Sequence, residues 1–480
     1  MSKGLCWIRR DIRLHDHAAL SHCTQENEQV YLAFIFDGAI LDPIKKKATS
    51  DRRVQFIIES LVELQNTLAS KNTSLIIRYG NPVEEIPKII QELEIDQLYF
   101  NRDYSPYALT RDQSVTEKIT HAGKKVFSFK DHVIFEPTEI LTKKQTPYTV
   151  FTPYSNAWKT AITELLPLKC FPANLNRLAH LQQEKPLNTI EALLNFTGFE
   201  SEAPFLKGGS GPGLERLKNF ATKIEPYEKN RDYPDLDGTS KLSIYLRHGC
   251  ISIRDMINFS LDHKNSGSEK WLTELVWREF YQMIFFHFPE VNDVPFQAKF
   301  RSLEFPTSEE FLAKFKDGQT GFPIIDAAMR CLNQTGWMHN RLRMVTASFL
   351  SKILLIDWKR GERYFSWKLL DYELQSNNGG WQWSAGIGCD AAPYFRIFNP
   401  TTQSKTYDAE GTFIREFCPE LAPLNNQDIH EPSKAKNPPL TFQLGRDYPF
   451  PIVDYKLNRQ KALHLYASAG NKELENAQNT

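Results

Sequence analysis

Over the first 130 residues, short apolar runs alternate with longer amphipathic stretches. The runs at residues 5–8, 30–36, 75–78, 97–100 and 126–129 have the length and the β-branched or aromatic content of strands buried on both faces. Between them the apolar period changes to that of a helix. Phe56, Ile57, Leu61 and Leu64 form one stripe of a helix expected over residues 51–69, with Ser50 placed to cap it. Asn81-Pro82 opens another, with Ile86, Ile89, Ile90 and Leu93 facing inward. Strands separated by helices predict an α/β domain over residues 1–130, a Rossmann-like parallel sheet with right-handed crossovers.

From residue 131 to 205 the periodicity breaks and prolines recur, which reads as a long inter-domain linker. Beyond it the strand signal vanishes. Helical spacing covers residues 212–223, 271–288, 308–316, 323–334, 339–355 and 361–371, so residues 206–480 are expected to form an all-α domain.

Composition narrows the class. No apolar run reaches the roughly 18 residues of a membrane helix, and the start of the chain meets Arg9, Arg10 and Asp11 too soon for a signal peptide. The seven cysteines are scattered without a CxxC pair, which argues against a disulfide framework or a zinc site and fits a reducing cytoplasm. Lys+Arg and Asp+Glu balance at 58 each, so any nucleic-acid site must be a local patch. The tryptophans crowd into the helical part, at Trp271, Trp277, Trp337, Trp358, Trp367, Trp381 and Trp383.

Five segments carry candidate chemistry. Gly208–Gly213 is glycine-rich but follows no strand, lacks a closing Lys-Ser/Thr and does not have GxGxxG spacing. It reads as the lead-in to a helix rather than a phosphate cradle. Thr239, Ser240, Lys241, Leu242 and Ser243 place three hydroxyls at a helix start, which suits a pyrophosphate and equally suits ordinary capping. Glu274, Trp277, Arg278 and Tyr281 share one helix face. Three polar heads make a poor core stripe and a good wall for a flat, hydrogen-bonding ligand. Asn340, Met344 and Ala347 line up beside Arg343, just after Trp337-Met338-His339. The densest signal runs from Asp371-Tyr372-Glu373 to Asn377-Asn378-Gly379-Gly380-Trp381-Gln382-Trp383. Its glycines suggest close approach of backbone to a ligand, and its tryptophans would face opposite ways if the segment were extended.

The runs Trp337–Met344, Asn377–Trp383 and Asp390-Ala391-Ala392-Pro393-Tyr394-Phe395-Arg396-Ile397-Phe398-Asn399-Pro400, with Trp7–Arg13 near the start, resemble the photolyase/cryptochrome family. The resemblance extends over nearly the whole chain. It implies an antenna domain, a helical FAD domain, UV-damaged DNA as the partner, and a monomer. By the same resemblance, Tyr227, Thr239 to Ser243, Arg278, Arg343, Asp371, Tyr372, Glu373 and Asn377 are flavin contacts, with Arg343 and Asp371 paired and Asn377 facing flavin N5. Arg231, Glu274, Trp277, Tyr281, Asn340, Arg341, Met344, Trp383, Arg396 and Gln403 are contacts to DNA or to the lesion. The implied reaction is light-driven electron transfer from reduced FAD to a flipped-out cyclobutane pyrimidine dimer, which needs no metal.

The bacterial class I dimer photolyases are the most similar branch. The (6-4) branch has histidines where Asn340 and Met344 stand, and a photoreceptor cryptochrome is the other alternative. Three departures from the family pattern stand out. Phe305 occupies the surface end of an electron-transfer chain through Trp381 and Trp358. Glu373 replaces an Asp. Ala108 stands where folate-binding members place a Glu, which argues against methenyltetrahydrofolate as antenna and leaves a deazaflavin, a flavin or an empty site open.

Overall fold

The structure, a computed structural model, describes residues 2–181 and 187–478, with side chains through 469. Five strands, β1 (Lys3–Ile8), β2 (Gln29–Asp37), β3 (Ile76–Gly80), β4 (Gln97–Asn101) and β5 (Lys125–Phe129), form one sheet in the order β3-β2-β1-β4-β5. All pairings are parallel, with Leu5 opposite both Tyr31 and Leu98. Residues 4–8 are fully buried, as expected of a strand covered on both faces. The fold is α/β followed by α, as the hydrophobic periods predict.

Local chemistry moved two details. The first long helix is Arg52–Ala69, and its cap is Asp51 rather than Ser50; the Asp51 carboxylate accepts from the N–H groups of Arg53 and Val54. Its buried face runs through Val54, Ile58, Leu61 and Leu68, leaving Ile57 half-buried. Asn81 does cap the next helix, Pro82–Glu92.

The stretch read as a linker contains two helices, Phe151–Thr163 and Ile190–Thr197. Residues 182–186 of it lie outside the described residues. By internal packing the chain divides into two compact units. One comprises Met1–Glu139, Trp158–Glu225 and Ser240–Leu275; the other comprises Ile140–Ala157, Pro226–Thr239 and Val276–Thr480.

Within the first unit the glycine-rich segment holds no anion. The N–H groups of Gly208, Ser210 and Gly211 already donate to the carboxylates of Glu59 and Glu63. It leads into the helix Ser210–Phe220. The second unit is helical and built on a core that includes Met329, Leu332, Met338, Leu342, Leu350, Ile353, Trp358 and Trp381. The single helix expected over 339–355 is realised as Asn340–Ser348 followed by a π turn, Phe349–Ile353.

Candidate active site

The helix Ser266–His287 buries Leu275, Val276, Phe280, Met283 and Ile284 and leaves Glu274, Trp277, Arg278 and Tyr281 half-open. The stripe that made a poor core is thus the face the core does not take. Trp277 stacks on Phe151, with ring centroids 3.6 Å apart and planes within 5°, and meets Phe280 edge-on at 5.6 Å. Phe151 is itself fixed, because its N–H donates to Asp390 Oδ2 at 3.0 Å. Sequence reasoning missed Phe151, which lies in the proline-punctuated stretch and carries no periodic signal.

Arg278 makes a two-point ion pair with Glu373, Nε to Oε2 and Nη2 to Oε1, each at 2.8 Å. Gln282 Nε2 adds a bond to Glu373 Oε1 at 3.3 Å. Two parallel charge-assisted bonds fix both planes, which makes the longer carboxylate at 373 a structural fit rather than a defect.

The helix Asn340–Ser348 is capped by His339, whose Nδ1 accepts the N–H of Arg341 at 3.2 Å. Burial pushes the His339 pKa down to about 4, so the ring is neutral near pH 7. With Nδ1 accepting, the proton sits on Nε2, and the buried ring also interacts with the Arg231 backbone. Arg343 Nη2 pairs with Asp371 at 2.9 and 3.1 Å, while its Nε donates to Met338 O. Arg341 pairs with Asp232 at 2.9 Å and lies 4.3 Å over the Tyr407 ring. Arg231 approaches the same Asp232 at 3.8 Å and lies 5.7 Å from the Tyr227 ring. Asp232, another residue sequence reasoning missed, therefore orders two arginines expected to meet phosphate. Asn340 and Arg396 are exposed, Met344 is half-open, and Gln403 keeps a buried Oε1 without a partner among the described residues.

The segment from Asn377 is helical, within Leu374–Ala385, not extended. Residues two apart on a helix still diverge by roughly 200°. Accordingly, Trp381 is 2% exposed in the core while Trp383 is half-open, on the side of Gly380. The glycines serve different ends. A Cβ at Gly379 would fall 2.2 Å from the Tyr281 ring, so its close approach is to that ring rather than to a ligand; one at Gly380 would meet nothing within 4 Å. Asn378 and Gln382 turn their amides to Val291 O.

Asn377 alone of these amides belongs to the half-open face. Its Nδ2 donates to the carboxylate of Glu362 at 2.8 Å and to the Glu362 carbonyl at 3.2 Å. Both are acceptors, so the nitrogen is committed inward and Oδ1 is the atom left to the open side. Burial raises the Glu362 pKa above the ordinary carboxylate range. Glu362 also escaped the sequence reading; its spacing to Asn377 crosses a helix–helix corner.

Trp358 and Trp381 lie in one apolar core, with Trp381 edge-on to Phe365 at 5.0 Å. Phe305 is half-buried and meets Tyr466 edge-on at 6.4 Å. By the division of the chain, Tyr227, Arg231, Thr239, Trp277, Arg278, Tyr281, Asn340, Arg341, Arg343, Met344, Asp371, Tyr372, Glu373, Asn377, Trp383, Arg396 and Gln403 belong to the second unit, while Ser240, Lys241, Leu242, Ser243 and Glu274 belong to the first.

The polar and aromatic groups on these helices suit a flat, polar-edged cofactor: two arginine–carboxylate pairs and a fixed amide oxygen. Comparison with known proteins agrees. Residues 271–468 match the FAD binding domain of DNA photolyase, and residues 4–173 match DNA photolyase. The chain is 38% identical to the deoxyribodipyrimidine photo-lyase of Alkalihalophilus pseudofirmus, covering 96% of this chain and 97% of the relative. It is 37% identical to that of Escherichia coli, covering 98% and 99%. Among solved structures, a class III photolyase from Agrobacterium tumefaciens superposes with a TM-score of 0.88 at 31% identity, covering 98% of both chains. An archaeal photolyase from Sulfolobus tokodaii with two FAD molecules gives 0.80 at 29% identity, covering 97% and 100%. With a strand order, a set of paired side chains and a full-length likeness that all agree, this chain belongs to the DNA photolyase family.

Proposed function

We propose that the chain is a light-driven, FAD-dependent enzyme that splits cyclobutane pyrimidine dimers in UV-damaged DNA. The observation that carries the reading is the half-open placement of both Asn377 and Trp383 on one helix, with Trp277 on the half-open face of a second helix. Held by the residues named below, reduced FAD would lend the dimer one electron under light and regain it once the ring has opened, so the reaction is redox-neutral. The chain's residues do the rest.

Tyr227, Thr239, Ser240, Lys241, Leu242 and Ser243 are the proposed contacts to the phosphate and adenosine side of FAD, and Arg278, Arg343, Asp371, Tyr372, Glu373 and Asn377 those to its ring side. An amide oxygen at Asn377, fixed from behind by Glu362, puts a neutral acceptor at the ring edge. No carboxylate charge there opposes electron density on the cofactor. Trp381 and Trp358 are the proposed route by which electrons reach the cofactor.

A dimer within a duplex cannot reach a cofactor in the protein, so it must be flipped out, and weakened pairing at the lesion lowers that cost. Trp277 and Trp383 are the proposed apolar ring faces for the extruded bases, and Met344 is a further proposed contact. Glu274 and Asn340 are the proposed readers of the pyrimidine edges. Arg231, Arg341, Arg396, Tyr281 and Gln403 are the proposed DNA contacts. Affinity through such phosphate contacts falls with added salt.

Residues 1–130 are proposed as the antenna domain, 131–205 as the connection and 206–480 as the catalytic domain of a cytoplasmic monomer. Ala108 is 2% exposed, so a carboxylate could not be installed there without displacing the core. We expect chromophores released from the purified protein to have the masses of FAD and of a flavin or deazaflavin; a methenyltetrahydrofolate mass would overturn this part. A photoreceptor reading, suggested by likeness to a Synechocystis cryptochrome at 26% identity and TM-score 0.85, leaves the retained tryptophans without a task. Illumination of FAD-loaded protein with dimer-containing oligonucleotide decides between the two.

A further inference from the structure

Lys352 is 1% exposed and sits inside the π turn Phe349–Ile353. Lysine is almost never buried without a specific partner. Its ammonium donates to the backbone carbonyl of Arg396 at 3.2 Å. It also lies against Gly386, the left-handed residue that ends the helix Leu374–Ala385; a Cβ on Gly386 would fall 3.2 Å from Nζ, 3.2 Å from Ala392 O and 3.0 Å from Tyr394 Cα. The lysine thus occupies the gap where the helix carrying Trp383 hands over to the loop carrying Arg396. The C-terminal end of that helix is its negative pole, which favours a cation there.

The rest of the loop is held at other points. Cys389 Sγ donates to Thr149 O, Asp390 accepts from Phe151, and the Tyr394 ring stacks on Tyr466 at 5.8 Å. Beyond Tyr394 the side chains of Phe395 and Arg396 are exposed, and among the described residues the bond from Lys352 is the hydrogen bond that reaches this tip from the core. Burial pushes the lysine pKa down to about 7, so keeping an amine here costs the fold stability that an apolar residue would not.

Building on the reading of Arg396 as a DNA contact, we propose that Lys352 is a positioning residue for DNA binding: by holding the Arg396 carbonyl it sets where the exposed guanidinium meets a phosphate. The lysine touches neither DNA nor cofactor and acts through the loop.

The test is fluorescence anisotropy in the dark with a duplex carrying one thymine dimer, using FAD-loaded protein. Lys352→Met should weaken binding about fivefold and keep FAD content, with thermal stability unchanged or higher. Arg396→Ala should weaken it by a similar factor, and the double variant no further than Arg396→Ala alone, because linked residues are not additive. Lys352→Gln, which retains a donor without charge, should recover most of the affinity; it also serves if the methionine variant fails to fold. Unchanged affinity in Lys352→Met or Lys352→Gln's failure to recover it, with Arg396→Ala weakened, overturns the proposal alone. So do losses that add in the double variant. An Arg396→Ala protein that binds as tightly as the parent overturns the DNA contact itself, and the proposal with it.

Discussion

At the level of single residues, the account turns on a few side chains whose two ends are spoken for differently. Trp277 stacks on Phe151, meets Phe280 edge-on and keeps a half-open position. Replacing it with alanine should weaken binding of dimer-containing DNA by about 1–3 kcal/mol if stacking dominates, and leave the FAD absorbance per chain unchanged. Equal affinity would mean that the dimer does not lie against this ring. Glu362→Ala removes the carboxylate that fixes the Asn377 amide. The reduced protein should then reoxidise in air faster than the parent; an unchanged rate would show that the amide needs no such anchor. Phe305→Trp tests the truncated electron route. An indole is far easier to oxidise than a phenyl ring, so photoreduction should accelerate, and an unchanged rate would place the exit elsewhere.

At the level of elements, the sequence was informative where one physical rule governed a segment. The five strands follow from short apolar runs, and the Trp277 helix follows from a stripe that mixes a carboxylate, an indole, a guanidinium and a phenol. Legibility ended where two rules competed. Ser50 and Asp51 are both good caps, and only the three-dimensional turn chooses the carboxylate. Trp381 and Trp383 would face opposite ways on an extended segment; the segment is helical, although Gly379 and Gly380 weaken a helical pattern. Packing overrides that propensity: Gly379 is spent on the Tyr281 ring. Phe151, Asp232 and Glu362 were illegible because each acts on a partner far away in sequence. One further close approach is testable. A Cβ at Gly361 would lie 2.1 Å from the Trp381 ring. Gly361→Ala should therefore cost about 1–3 kcal/mol through overpacking, read as a lower melting temperature with less FAD retained. A stability equal to the parent's would show that the two helices can spread.

Across the whole molecule, formal neutrality conceals buried charge. In the first unit Asp131 is held by Arg13 and Arg254, each at 2.7 Å, and Arg254 also pairs with Asp16. Opposing charges keep Asp11, Asp103 and Asp131 well below the usual carboxylate range despite burial. Their stabilisation is present above the ordinary carboxylate pKa and is lost as pH falls below it. His132 and His339, pushed down to about 4 by burial, lose stability as pH falls from 6.5 toward 4. Asp326 and Asp408, raised by burial to about 6, act oppositely, losing stability as pH rises from 3.8 toward 6. The two pairs offset each other in that window. The melting temperature should therefore change little between pH 6 and 4.5 and drop steeply below pH 4, where the depressed aspartates lose their contribution. A drop concentrated between pH 6.5 and 5 would contradict this balance.

The central claim concerns a cofactor and a lesion served by the half-open faces of the Trp277 and Asn377 helices. Its most direct test is to illuminate the FAD-loaded, reduced protein at near-UV or blue wavelengths with an oligonucleotide containing a single thymine dimer, beside a dark control. The account predicts that intact thymines return only in the light. Dimer that persists under illumination, with reduced FAD demonstrably bound, would contradict it.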